Sequence, residues 1–94
     1  MPEVKIGALC WNQYTDWPAM RGVGITADRL GYHSLWTWDH LAGQVHGESS
    51  VLECWTILSA LAACTHRVTL GPLVLNVANR RPGVLAVAAA TLQQ

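Results

Sequence analysis

Tyr32-His33-Ser34-Leu35-Trp36-Thr37-Trp38-Asp39-His40 (YHSLWTWDH) is the stretch that decides the fold. Aromatic and β-branched side chains crowd its first seven residues, which suits a pleated, buried strand. It stops on a carboxylate and an imidazole, where a buried strand meets solvent or a ligand. Upstream lies a helix signature: Asp16 can cap, Pro18 tolerates the first turn, and Trp17, Met20, Val23, Ala27 and Leu30 recur at helical spacing before Gly31 supplies a stop. Gly22 and Gly24 weaken that helix by about 1 kcal/mol each relative to Ala. Downstream, beyond a polar, Gly-bearing loop from Leu41 to Ser50, Ser50-Val51-Leu52-Glu53 has the form of a capping box. An apolar helix through Leu52, Trp55, Ile57, Leu58, Leu61 and Ala62 then runs to about Thr65.

Two further strands flank this unit. Val4 to Cys10 (VKIGALC) is too continuously apolar for one wet face, which predicts a strand buried on both sides. Val68 to Leu75 (VTLGPLVL) is broken by Gly71-Pro72, a proline that a regular central ladder does not tolerate. Asn76 to Arg81 forms its exit loop, and Pro82 starts a third helix over Gly83 to Gln93. Strands roughly 30 residues apart in the order β-α-β-α-β-α are the pattern of right-handed βαβ units that build a parallel sheet. Three such units cannot close an eight-stranded barrel.

The 94 residues allow one domain at most, and 51% hydrophobic against 13% charged is roughly half the usual charged share of about 25%. Missing charge implies surfaces meant to be covered by more chain or by a partner. Six basic residues balance six acidic ones, so there is no electrostatic footprint for nucleic acid or for an anionic membrane surface. The longest apolar run, Val84 to Ala90, is far short of the ~20 residues of a spanning helix, and Met1-Pro2-Glu3-Val4-Lys5 has no signal-peptide character. A cytoplasmic protein is expected. Cys54 and Cys64 on one helix would lie about 15 Å apart, beyond the ~7 Å Cα limit for a disulfide. Cys10, Cys54 and Cys64 therefore read as reduced, buried residues.

Gly22-Val23-Gly24-Ile25-Thr26-Ala27 matches GxGxxA formally, with Asp39 downstream. A dinucleotide fingerprint must open the helix directly after the first strand, however, and about a dozen residues intervene here. Asp39-His40 is the stronger candidate. In parallel α/β architectures ligands sit beyond the carboxyl ends of strands, where a carboxylate and an imidazole can bind a heterocycle and move a proton. The plainer alternative is a loop-start Asp capping local amides beside a solvent-facing His. Asp39, His40 and His46 lack a third firm metal ligand, and no CxxC or HExxH spacing occurs, so no metal is expected. His33 and His66 read as partly buried or surface residues. Leu73-Val74-Leu75-Asn76 could press backbone against a flat ligand, or be an ordinary strand end. Arg80-Arg81, near a helix start, reads as solvated rather than ligand-bearing.

Leu9 to Pro18 (LCWNQYTDWP), Ala27 to Tyr32 (ADRLGY), Leu35 to Leu41 (LWTWDHL), and Arg67 to Gly71 (RVTLG) through Arg81-Pro82 together resemble the N-terminal part of the bacterial luciferase-like monooxygenase superfamily, in its deazaflavin (coenzyme F420) branch. The likeness implies an α/β fold: the first three βα units of a (β/α)8 TIM barrel of about 300 residues, incomplete in this chain, with residues 1–94 as its N-terminal part. It implies F420, with FMN as the alternative, bound at the carboxyl face, and hydride passed between that cofactor and a small organic substrate. By residue, it implies His40 as catalytic acid or base and Asp39 against the ring. A non-proline cis peptide at Leu73–Val74 would make Leu73, Val74, Leu75 and Asn76 the ring's backstop. The Asp-His pair favours F420 over FMN. The remaining five βα units, with the phosphate-binding loops, are absent, so catalysis is expected of the full-length parent rather than of these residues alone. That parent is expected to be a homodimer through Leu52, Trp55, Leu58, Val84, Leu85 and Val87. Two alternatives stand beside this reading: an FMN-dependent luciferase-like monooxygenase, and a truncated, non-catalytic αβ interaction module.

Overall fold

Backbone pairing is what places every element of this chain. In a computed structural model that describes residues 1–43 and 50–94, three short parallel strands, β1 (Gly7–Leu9), β2 (Ser34–Thr37) and β3 (Thr69–Pro72), form one sheet in the order β1-β2-β3. Leu9 lies opposite Trp36, Trp36 opposite Gly71, and Thr37 opposite Pro72. The helices are α1 (Trp17–Leu30), α2 (Cys54–Cys64) and α3 (Pro82–Leu92), with a 3-10 turn at Val77–Asn79. This is the α/β architecture expected, with the βαβ order intact.

Helix α1 forms as its signals predict. Asp16 accepts the Ala19 amide at 2.9 Å, and Gly31, at φ 81°, closes the carboxyl end. Helix α2 does not begin at the expected capping box. Val51 pairs antiparallel with Gln13, and the Leu52 amide donates to the Asn12 carbonyl at 2.9 Å, so the chain cannot turn helical before residue 53. Glu53 is the cap instead, and its carboxylate accepts the amides of Trp55 at 3.2 Å and Thr56 at 2.8 Å.

The core lies between the sheet and the first two helices. It joins Met20 and Ala27 of α1, Leu35 of β2, Ile57 and Leu61 of α2, Cys10 and Val68. Gly24 packs against α2 so closely that a Cβ there would collide with the Leu61 side chain. The glycine that weakens α1 as an isolated helix is what lets it pack.

Two-sided burial of the first strand is not observed. Ala8 packs against the core, but Gly7 and Leu9 are exposed, because α1 and α2 cover only one face of the sheet. The other face carries Trp36, whose indole nitrogen donates to the Ser34 hydroxyl at 3.0 Å. A Cβ on Gly71 would sit 2.7 Å from the Trp36 ring, so a side chain there would displace the indole. The third strand ends at Pro72 rather than Leu75. Proline is accommodated because β3 is, among the described residues, a sheet edge. The Leu73–Val74 peptide is cis.

At the amino end of the sheet the Asp28 carboxylate accepts three backbone amides, those of His66 at 3.1 Å, Arg67 at 2.7 Å and Val68 at 2.8 Å. The Val68 and Arg67 amides foremost hold its carboxyl below the usual aspartate range. Helix α3 has no buried residue, and Val84 and Val87 are 67% and 68% exposed. All three thiols are free, with Cys10 and Cys54 buried and Cys64 only half-buried. Among the described residues no helix is long and apolar enough to cross a membrane.

Candidate functional site

Parallel strands deliver their exit loops to one side, so the segments after β1, β2 and β3 gather at the carboxyl end of the sheet. Asn12, fully buried, ties two of them. Its amide donates to the carbonyls of Trp38 at 2.9 Å and Leu52 at 2.7 Å, while its oxygen accepts the Trp38 amide at 3.2 Å. One side chain thus fixes the exit of β2 and the approach to α2. Trp38, so held, packs at a ring-centroid distance of 5.1 Å on Trp11 and edge-on at 5.5 Å on His40. Trp11 also meets Tyr14 at 6.1 Å, and both are 46% exposed. The result is an aromatic wall with His40 at one end.

The segment following β3 is anchored twice on β2 and its exit. The Leu73 amide donates to the Thr37 carbonyl at 2.7 Å, and the Asn76 amide donates to the Asp39 carboxylate at 2.6 Å. Between these anchors the side chains of Leu73 and Val74 stand 47% and 75% exposed, while Leu75 is half-buried. The Asn76 side chain turns to cap the 3-10 turn, accepting the Ala78 amide at 3.0 Å.

Asp39 has a fully buried side chain, and its two oxygens share three donors. One oxygen accepts the Asn76 amide and Arg80 Nη1; the other accepts Arg80 Nη2 at 2.9 Å. Arg80 Nη2 also donates to Glu53 Oε1 at 2.7 Å, and Nη1 to the Asn76 carbonyl at 3.2 Å. Burial pushes the Asp39 carboxyl upward, but the Arg80 and Asn76 hydrogen bonds and the Arg80 charge outweigh it and hold it below the usual range. In Glu53, burial is likewise outweighed, chiefly by the Thr56 hydroxyl and amide. The Asp39 hydrogen bond, above all, keeps Arg80 firmly cationic.

Asp39 and His40 follow β2 and Leu73, Val74, Leu75 and Asn76 follow β3 at the carboxyl end of the sheet, and a direct contact joins Asp39 to the Asn76 amide. Arg80 is a correction. It is not a solvated surface arginine, since its side chain is 14% exposed and grips two carboxylates. Arg81, by contrast, is exposed. Asn12, Glu53 and Arg80 were not foreseen in these roles. Only Glu53 carried a signal, as a helix-capping acid. His46 lies outside the described residues, and among those described no group of three or more His, Cys, Asp or Glu could hold a metal ion.

Chemically, an exposed aliphatic shelf and an aromatic cluster at the same end of the sheet suit a planar heterocycle, and His40 supplies a proton-carrying group there. Arg80 is committed to internal carboxylates and is not offered to an anionic ligand.

Comparison with known proteins identifies the family and the fold. Residues 7–94 match the family model for luciferase-like monooxygenases. Over 70 residues the chain is 37% identical to an F420-dependent glucose-6-phosphate dehydrogenase of Microbacterium testaceum (strain StLB037), a match covering 73% of this chain and 21% of that protein. The fold superposes with a TM-score of 0.87, at 21% identity, on an F420-dependent secondary alcohol dehydrogenase in complex with an F420-acetone adduct, covering 99% of this chain and 28% of that one. The chain thus spans 21% and 28% of the lengths of these two relatives. Its three βα units share the fold of the corresponding part of the alcohol dehydrogenase.

Proposed function

Because the chain belongs to the luciferase-like monooxygenase family, we propose that it forms the N-terminal part of an F420-dependent oxidoreductase acting on a small organic substrate. The observation that carries this reading is the exposed Leu73-Val74 shelf, tied to β2 and Asp39 at its two ends, at the same carboxyl end of the sheet as the Trp38-His40 pair. Both relatives named above are F420-dependent, which favours the deazaflavin over FMN.

The deazaflavin, when bound, supplies a carbon that accepts or gives up a hydride. Everything else falls to the chain. Leu73 and Val74 offer one face of the ring an apolar contact that excludes water. Trp38, oriented by Asn12, holds the His40 imidazole edge-on. A ring nitrogen of His40 then takes or returns the proton that accompanies hydride transfer at the substrate oxygen. Asp39 keeps the shelf in register through the Asn76 amide. The apolar faces of α2 and α3 serve a homodimer, and the protein works in the cytoplasm.

The test is a pair of titrations of the intact protein carrying these residues, one with F420 and one with FMN, followed by fluorescence. Saturable binding of F420 without comparable binding of FMN is expected; preference for FMN overturns the assignment.

A further inference from the structure

Asp39 raises a question that the proposed function leaves open, namely how a fully buried carboxylate influences a ligand. Its side chain has no exposed surface, and three of the roughly four acceptor sites of a carboxylate are filled from within the protein. Beyond its charge on the neighbouring His40, it acts on the ligand through the backbone it holds, the Asn76 amide. We infer that Arg80, braced by Glu53, is a positioning residue that locks Asp39 onto the Asn76 amide and so fixes the Leu73–Asn76 ledge against which the deazaflavin lies. This rests on the F420 reading above.

The geometry makes Arg80 the common node. Its planar fork meets both oxygens of Asp39, a two-point contact that fixes the rotation of the carboxylate as a single-point donor cannot. The same guanidinium reaches Glu53 Oε1 and the Asn76 carbonyl, so it joins the end of β2, the start of α2 and the ledge itself. The ledge hangs between two anchors, Thr37 and Asp39, which are alternate residues leaving one strand. The Thr37 anchor is a backbone carbonyl and cannot rotate away. The Asp39 anchor is a side chain, and among the described residues Arg80 is the side chain that holds it in place. Without the guanidinium, a buried carboxylate loses its counter-charge and must either protonate or swing toward water. Either outcome loosens its grip on the Asn76 amide.

The experiment compares wild type with Arg80→Met, Arg80→Lys and Glu53→Gln in the intact protein. It reads amide hydrogen exchange at Asn76 without cofactor, with the Val68 amide at the opposite end of the sheet as an internal control, and the F420 dissociation constant. In Arg80→Met, Asn76 exchange accelerates about tenfold or more and F420 binding weakens about tenfold, the size expected on losing a hydrogen bond to a charged group, while Val68 is unchanged. Arg80→Lys, which keeps the charge but not the fork, recovers part of both. Glu53→Gln preserves the Arg80-Asp39 pair and shows a smaller effect in the same direction, so it carries the test should Arg80→Met fold poorly. Wild-type Asn76 protection in Arg80→Met overturns the clamp. A loosened Asn76 amide with unaltered F420 affinity overturns the link from ledge to ligand. Failure of the wild type to bind F420 sinks the cofactor reading separately, and the exchange measurement then decides the clamp by itself.

Discussion

Asp28 and Asp39 stand at opposite ends of the same sheet, and both hold the chain beside β3 by its backbone amides. Asp28 does so chiefly through three amides, from His66, Arg67 and Val68, with the Arg67 charge a lesser contribution. Asp39 takes one amide, from Asn76, and relies on Arg80 and Glu53 for the rest. An acid held by main chain has a single arrangement. One held by other side chains can be tuned by them. The contrast matches the division seen across parallel barrels, where the amino end of the sheet serves stability and the carboxyl end carries the chemistry.

Substitutions at the two ends should therefore separate cleanly. The largest effect is expected of His40→Ala, which should lower turnover about a hundredfold or more, the usual range for a lost acid or base, with F420 affinity and melting temperature near wild type. Steady-state kinetics beside a binding titration checks this, and unchanged turnover removes His40 from the mechanism. Asp28→Ala should do the reverse. It strands three amides and should lower the melting temperature more than any single substitution among Asp39, Arg80 and Glu53, while protein that remains folded binds F420 normally. A milder loss than at Asp39 would break the comparison.

Between the ends, Gly24→Ala should cost about 1–3 kcal/mol by overpacking against Leu61, which exceeds the ~1 kcal/mol that alanine returns to helix α1. Urea unfolding decides the sign, and net stabilisation would mean that α1 and α2 can shift apart. The smallest effect is in acid. Both aspartates have folded-state pKa values below the ordinary 3.8, so their contribution is complete above that value and is lost as pH falls through the lowered values. Melting temperature should therefore drop below about pH 4, and Asp39→Asn should flatten part of that limb while Asp28→Asn flattens another. A limb unchanged by both would show that other carboxylates dominate.

Local signals in the chain were readable and long-range ones were not. Asp16, Pro18 and Gly31 bound α1 because caps act within one turn, and the aromatic run ending at Asp39-His40 marks β2 and its exit by composition alone. The start of α2 was misread because the pairing of Leu52 with Asn12 joins residues 40 apart, which no periodicity records. Arg80 was misread for the same reason, since its partner Asp39 lies 41 positions away. The first strand looked buried on both faces because its composition suits a covered sheet, whereas here α1 and α2 cover only one side. The strand end after Gly71-Pro72 left Leu73 to Asn76 as either the backing of a flat ligand or an ordinary strand end, and family likeness chose between the two.

Trp36 bears on how deep a ligand can sit. Its indole lies across the uncovered face of the sheet, fastened to Ser34 and fitted against Gly71, one residue short of Thr37 and three short of Asp39. A molecule entering from the carboxyl end along that face meets this ring as a floor. The floor is rigid on one side because a strand backbone, not a side chain, backs it at Gly71. Under the proposed function, this ring would stop a planar guest at the Leu73-Val74 shelf from sliding down the strands.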